Sequence, residues 1–201
     1  MIVDKVGASD SISIQLIKGT PKKTRKIIAV AGQPGTGKTT LFREFMKDYS
    51  WEKVEPKKML PALYCKELDL YVLGKYEEGE LFAGTDRLSM AVQPIAQEFV
   101  QECTSNILFE GDRLTNSKFY DFLLGLDSKV EFIVLTVSDE TMKQRYKDRG
   151  SDQSETFLKG RETKIGNILN NFEYMDVTTV FKNETHEDQR VILDRIRGVL
   201  S

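Results

Sequence analysis

The octapeptide Gly32-Gln33-Pro34-Gly35-Thr36-Gly37-Lys38-Thr39 satisfies the spacing G-x-x-x-x-G-K-[ST] in full. Glycines at these intervals let the backbone wrap with its N–H groups pointing inward, and a helix starting directly afterwards adds partial positive charge to the same concavity. The flanks fit that geometry. Ile27 to Ala31, "IIAVA", is a short apolar run of the kind found in a central parallel strand, and Lys38 to Tyr49 is expected to form a helix. Strand, glycine turn and helix in this order make a phosphate cradle. Gly32, Gly35, Thr36 and Gly37 shape it, Lys38 reaches terminal phosphates, Thr39 is placed to ligate Mg²⁺, and Thr40 continues the nucleotide-binding set.

The rest of the chain alternates strand-like and helix-like segments. Leu63 to Tyr76 reads as two short strands turning near Glu67 to Asp69. From Leu88 to Cys103 apolar residues recur at helical spacing, and Pro94 within that pattern implies a kink or a late start. Ile107 to Phe109 and Glu131 to Val137 read as buried strands, with a helix over Lys118 to Leu126 between them. Ser138 caps a helix running to about Arg149, Gly160 to Met175 forms another, and Val177 to Phe181 is a last strand before a closing helix from Asp188 to Leu200. The expected architecture is α/β: a mostly parallel sheet with helices on both faces and a lid segment. We read residues 1–201 as one P-loop domain, with an N-terminal strand and basic loop over 1–25, a substrate-side excursion over 63–87 and a lid over 149–164.

With 201 residues, 40% hydrophobic and 30% charged, the chain suits one soluble core. No apolar run approaches the roughly 20 residues needed to span a bilayer, and the N-terminus lacks the pattern of a secretory signal. A cytoplasmic location is expected, host cytoplasm if the source is viral, and no membrane partner. Cys65 and Cys103 read as reduced, packed thiols. A net charge of −2 gives no global attraction to nucleic acid, although five of the nine residues from Lys18 to Lys26 are cationic. That loop is either solvated or an arm for a phosphate-rich partner.

Three further clusters belong to the chemistry. "ILFEGDRL", Ile107 to Leu114, starts as a core strand and ends in two acids and an arginine. A carboxylate at a strand's carboxyl end is costly unless it is solvated, paired or bound to a metal. Beside a phosphate cradle such an acid holds the metal's water shell or takes the acceptor's proton; Glu110 is the first candidate and Asp112 the second. Arg113 either clamps a phosphate or pairs with a neighbouring carboxylate. "GTDRLSM", Gly84 to Met90, sets Asp86 and Arg87 at a helix mouth, where they grip a substrate or serve as cap and surface cation. Phe82, Tyr71 and Tyr76 stack on a base or belong to the core. Finally Arg145, Arg149, Arg161 and Lys164 form a cationic set around "GSDQSETFLKGRETK", which reads as a mobile cover that stabilises charge on a transferring phosphoryl group, or as a solvated face.

The cradle, the "FEGDR" strand end and the "RYKDRG...KGRETK" segment together resemble the nucleoside and nucleotide kinase family of P-loop phosphotransferases, from Lys26 onward. More narrowly, "VLGKY...FAGTDRLSM" followed by "ILFEGDRL" is similar to small P-loop kinases of bacterial viruses, among them kinases that phosphorylate 5-hydroxymethyluracil within DNA. The resemblance implies a five-stranded parallel core, Mg-ATP as donor and an Asp or Glu base. By match it gives Lys38 and Thr39 the phosphate and metal roles, Glu110 the acid and metal-side role, and Arg145, Arg149 and Arg161 the lid role. The glutamate-arginine-serine motif of deoxynucleoside kinases is not clearly present, so the acceptor does not carry over from that branch.

Three functions follow as expectations. The first is transfer of the γ-phosphate of ATP to a hydroxyl of a nucleotide-type acceptor, with 5-hydroxymethyluracil in phage DNA favoured. The second is a kinase of free nucleosides or nucleoside monophosphates. The third, of another class, is an ATP-binding regulator that signals through a partner. No guanine-reading NKxD segment is found late in the chain, which disfavours a switch GTPase.

Overall fold

The computed structural model describes residues 24–80, 82–148, 150 and 154–201. The expected N-terminal strand, most of the basic loop, and Arg149 lie outside the described residues.

Strand β1 (Lys26–Gly32) is the spine, with Ile27 to Ala31 at most 1% exposed. Burial of each isoleucine or valine side chain in it contributes roughly 1.5–3 kcal/mol, which is why an all-apolar run settles at the sheet centre. Helix α1 (Lys38–Met46) follows the cradle, then an antiparallel hairpin of β2 (Glu52–Lys57) and β3 (Leu60–Cys65), and β4 (Leu70–Leu73). A 3₁₀ turn (Thr85–Arg87) and α2 (Val92–Glu102) lead to β5 (Asn106–Glu110), α3 (Ser117–Leu124) and β6 (Lys129–Thr136). The chain closes with α4 (Asp139–Asp148), α5 (Glu155–Leu169), a second 3₁₀ turn (Phe172–Val177), β7 (Thr178–Lys182) and α6 (His186–Leu200).

The strand order is β2-β3-β4-β5-β1-β6-β7. The five strands from β4 to β7 are mutually parallel, as expected, but among the described residues the sheet has seven strands rather than five. The additional pair is the β2–β3 extension. In β2, "EKVEPK", there is no buried residue, so the hydrophobic pattern gave no sign of a strand. The β2–β3 register shifts between Val54 and Lys57, around Pro56, which has no N–H to donate.

Alternate β1 residues feed two cores. Ile27, Ala29 and Ala31 pack with α2 and α3, and Ile28 and Val30 with α1 and α6. Helix α2 starts late, at Val92, which leaves Pro94 in the first turn where its missing N–H is harmless. Two other boundaries move. Helix α1 ends at Met46 instead of Tyr49, and the helix expected from Gly160 to Met175 starts five residues earlier, capped by Ser154, and gives way to a 3₁₀ turn after Leu169. Arg25, counted with the basic loop, is buried and donates to Ser128 Oγ at 2.6 Å and to the Val100 carbonyl. Among the described residues no helix is long and apolar enough to cross a membrane, and both cysteines are free.

Candidate active site

Strands β1 and β5 are neighbours, with Val30 opposite Glu110, so the cradle and the "EGDR" loop emerge side by side at the carboxyl edge of the sheet. Open parallel sheets bind ligands at such a point. A cleft of about 370 Å³ lies there, walled by the loop glycines and Lys38 on one side, Glu110 to Arg113 on another, and Phe157 and Arg161 of α5 above.

The cradle is held from outside. Gly37 has φ of 89°, and a Cβ there would lie 2.6 Å from Asn183 Nδ2, so only glycine fits. The Asn183 amide donates to the Thr36 carbonyl at 2.7 Å. Arg145 donates to the carbonyls of Gly35 and Asn183, each at 2.9 Å, and the Tyr146 hydroxyl donates to Pro34 O at 2.8 Å. Helix α4 therefore braces the loop. Lys38 Nζ donates to Gly32 O at 2.8 Å and Gln33 O at 3.1 Å, which arches its ammonium across the cradle. Thr40 follows in the first turn of α1 and is exposed.

Across the cleft, Glu110 is 1% exposed and its Oε1 accepts the Thr39 hydroxyl at 3.0 Å. Burial pushes its pKa up to about 7, with the Lys38 charge opposing and Asp86 reinforcing the shift. The Asp86 carboxylate lines the cleft and accepts the Asp112 backbone N–H at 2.6 Å, which joins the "GTDR" and "EGDR" loops. Two glycines permit that approach: a Cβ on Gly84, whose φ is 66°, would stand 2.8 Å from Glu110 Oε1, and the Gly84 backbone crowds Gly74.

Asp112 forms ion pairs with Arg161 and, at 2.9 Å, with Lys164, so α5 is tied to the loop after β5. Burial and the nearby Arg161 charge lower Lys164 to about 8. Arg113 lines the cleft and donates to Leu88 O at 3.2 Å. The Arg161 guanidinium stands 4.5 Å over the Phe157 ring, and Phe82, 54% exposed, lies on the wall.

Arg87, Tyr76 and Tyr71 are not on the wall. Arg87 pairs with Glu77 and Glu80, and the Tyr76 ring stacks on Phe42 at 5.8 Å. Tyr71 packs edge-on against Phe99 in the core. Thus the structure brings together Lys38, Thr39, Glu110, Asp112, Asp86, Arg113 and Arg161, and puts Arg145 at the loop rather than on a cover.

Over residues 23–197 the sequence matches the family described as P-loop Nucleotide Kinase3. The chain belongs to this P-loop nucleotide kinase family. No curated protein matches it. Among solved structures, it is similar to a gluconokinase from Sinorhizobium meliloti 1021, with a TM-score of 0.48 and 14% identity over 88% of this chain and 96% of that one. It is also similar to an unliganded sugar kinase from Janibacter sp. HTCC2649, with a TM-score of 0.42 and 17% identity over 88% and 94% of the two chains.

In this P-loop kinase the residues that motif reading missed are the braces. Asn183 and Tyr146 carry no spacing signal, because their positions follow from where β7 ends and how α4 crosses the loop. Phe157 was visible only as an apolar residue in a polar stretch.

Proposed function

We propose that this kinase moves the γ-phosphate of ATP onto a hydroxyl of a nucleotide-type acceptor, with 5-hydroxymethyluracil in DNA as the favoured acceptor. The observation that carries the reading is the 3.0 Å contact between Thr39 and Glu110, which sets an acid against the metal side of the cradle.

The residues fit a magnesium ion. Among the described residues no group of three or more His, Cys, Asp or Glu stands ready for a metal, so the protein offers two hard oxygens, from Thr39 and Glu110, and leaves the remaining positions to phosphate and water. When bound, the ion neutralises charge on the phosphate oxygens. The loop amides and Lys38 hold the phosphates, while Glu110 orients the metal side. Asp86, on the cleft wall and fixed by the Asp112 N–H, takes the acceptor's proton as its oxygen bonds to the γ-phosphorus and ADP departs. Arg161 and Arg113 face the developing negative charge, and Phe82 and Phe157 offer aromatic surface to a base.

A second reading, a kinase of free nucleosides or nucleoside monophosphates, has the size of the cleft in its favour, since about 370 Å³ lies in the range of small-molecule sites. Transfer of γ-labelled phosphate to a panel of hydroxymethyluracil DNA, unmodified DNA, free nucleosides, nucleoside monophosphates and sugar acids separates the readings. Label on the modified DNA alone, with a rate that falls steeply with salt, supports the first. Label on a free nucleoside or nucleoside monophosphate supports the second, and label on a sugar acid alone, or no labelled product from any acceptor, overturns both.

A further inference from the structure

Three successive carbonyls of the cradle are each engaged from outside it: Pro34 O by the Tyr146 hydroxyl, Gly35 O by Arg145 and Thr36 O by the Asn183 amide. A peptide unit is planar and trans, so its N–H points away from its carbonyl. A donor that holds the Thr36 carbonyl therefore also aims the Gly37 N–H, and Gly37 lines the cleft whereas Asn183 does not. The face of the loop that meets phosphate is set from the face that does not.

Asn183 is placed to do this. It is 4% exposed, directly follows β7, and its amide donates to Thr36 O at 2.7 Å. Its backbone is anchored on both sides: the N–H donates to Thr136 O at 2.9 Å, and the carbonyl accepts from Arg145 at 2.9 Å. The turn beyond it is equally fixed. Asp188 Oδ2 accepts the N–H groups of Glu184 and Thr185, each at 2.9 Å, and Glu184 accepts the Ser138 N–H at 2.6 Å, just before α4 begins. Helix α4, which delivers Arg145 and Tyr146, thus hangs from the same turn that delivers Asn183.

We infer that Asn183 is a positioning residue for the donor nucleotide: it holds the Thr36–Gly37 peptide with the Gly37 N–H turned to the phosphates, so the turn after β7 sets the affinity of the cradle. Without the amide, the buried Thr36 carbonyl loses this donor, and the peptide is free to rotate toward another. The cost of turning it back is then subtracted from phosphate binding. The inference rests on the cradle as a nucleotide phosphate site and on no particular acceptor.

Asn183→Ala removes the amide, and Asn183→Asp keeps its shape while replacing the donor with an acceptor; the backbone anchors at this position persist in both. Arg195→Ala takes the partner from Glu131 near the amino end of β6, which loosens the fold away from the cradle and serves as the control. The measurement is calorimetric titration of Mg-ADP into each protein, with thermal unfolding used to keep the titration well below the transition. We expect Asn183→Ala to weaken binding by about five- to tenfold, the size of one hydrogen bond, Asn183→Asp to weaken it at least as much, and the control to stay within about twofold of wild type. Affinity unchanged in Asn183→Ala, retained in Asn183→Asp, or reduced equally in Arg195→Ala overturns the inference. So does failure of both Asn183 variants to fold, because the side chain would then hold the sheet end and not the phosphates, and so does a wild type that binds no ADP. A wild type that binds Mg-ADP, with the loss in both variants, but phosphorylates no acceptor defeats the proposed function and leaves this inference standing on its own readout.

Discussion

The hydroxyl of Thr39 and the carboxylate of Glu110 stand 3.0 Å apart although 71 positions separate them in the chain. One opens the helix after β1, the other ends β5, and the parallel pairing of those strands makes the contact. The kinase reading predicts distinct consequences for the groups around it.

Lys38→Ala removes the cation that arches over the cradle. ADP binding by calorimetry should fall below detection while the fold persists, as judged by an unchanged circular dichroism spectrum. Retained affinity would remove Lys38 from the phosphate site.

Glu110→Gln keeps the shape of the side chain and removes its charge. Nucleotide affinity without Mg²⁺ should stay within a few-fold, and the transfer rate should drop by about 10²–10³-fold, the size of one lost electrostatic contact. Near-normal turnover would take Glu110 out of the mechanism.

The same variant tests the electrostatics of burial. Folding raises the Glu110 pKa from 4.5 to about 7, so its stabilising contribution is complete below the unfolded pKa and is lost as pH rises through about 7. Above that point the folded chain carries a buried charge costing roughly 3 kcal/mol at most. In nucleotide-free thermal scans, Glu110→Gln should gain stability over wild type at pH 8 and gain little at pH 5. A pH-independent difference would contradict the shift.

Asp112→Ala takes the carboxylate from both Arg161 and Lys164. The partly exposed pairs are worth about 1 kcal/mol or less, so amide exchange in α5 should quicken by about fivefold at most, with β1 unaffected. Unchanged exchange in α5 would show that other contacts hold the helix.

Gly84→Ala puts a methyl group against Glu110 Oε1 at a backbone conformation essentially reserved for glycine. A loss of about 1–3 kcal/mol in denaturant unfolding is expected, together with slower transfer, because Asp86 shifts with the turn. Full stability and activity would mean that the two loops are not jammed together.

The cradle was legible because its spacing and its flanks jointly specify strand, loop and helix, and buried central strands were legible as apolar runs such as "IIAVA" and "EFIVLTV". What escaped is decided between elements. An edge strand like β2 buries none of its residues, so no periodicity marks it. Tyr76 sits near Asp86 in sequence, yet its ring stacks on Phe42 and does not line the cleft. Asp112 was visible as an acid beside the strand end, but its partners on α5 come from a helix whose polar sequence resembled a cover.

The irregular outer strand β2 has a bearing on colloidal behaviour. A seven-stranded sheet that ended on a long, regular edge would offer a ladder of unpaired amides to any neighbouring chain. Here the edge is broken by Pro56 and by the register shift beside it, and Lys53 and Lys57 interrupt it with charge. Among the described residues that margin is a poor template for strand addition, which works against sheet-to-sheet polymerisation on that side.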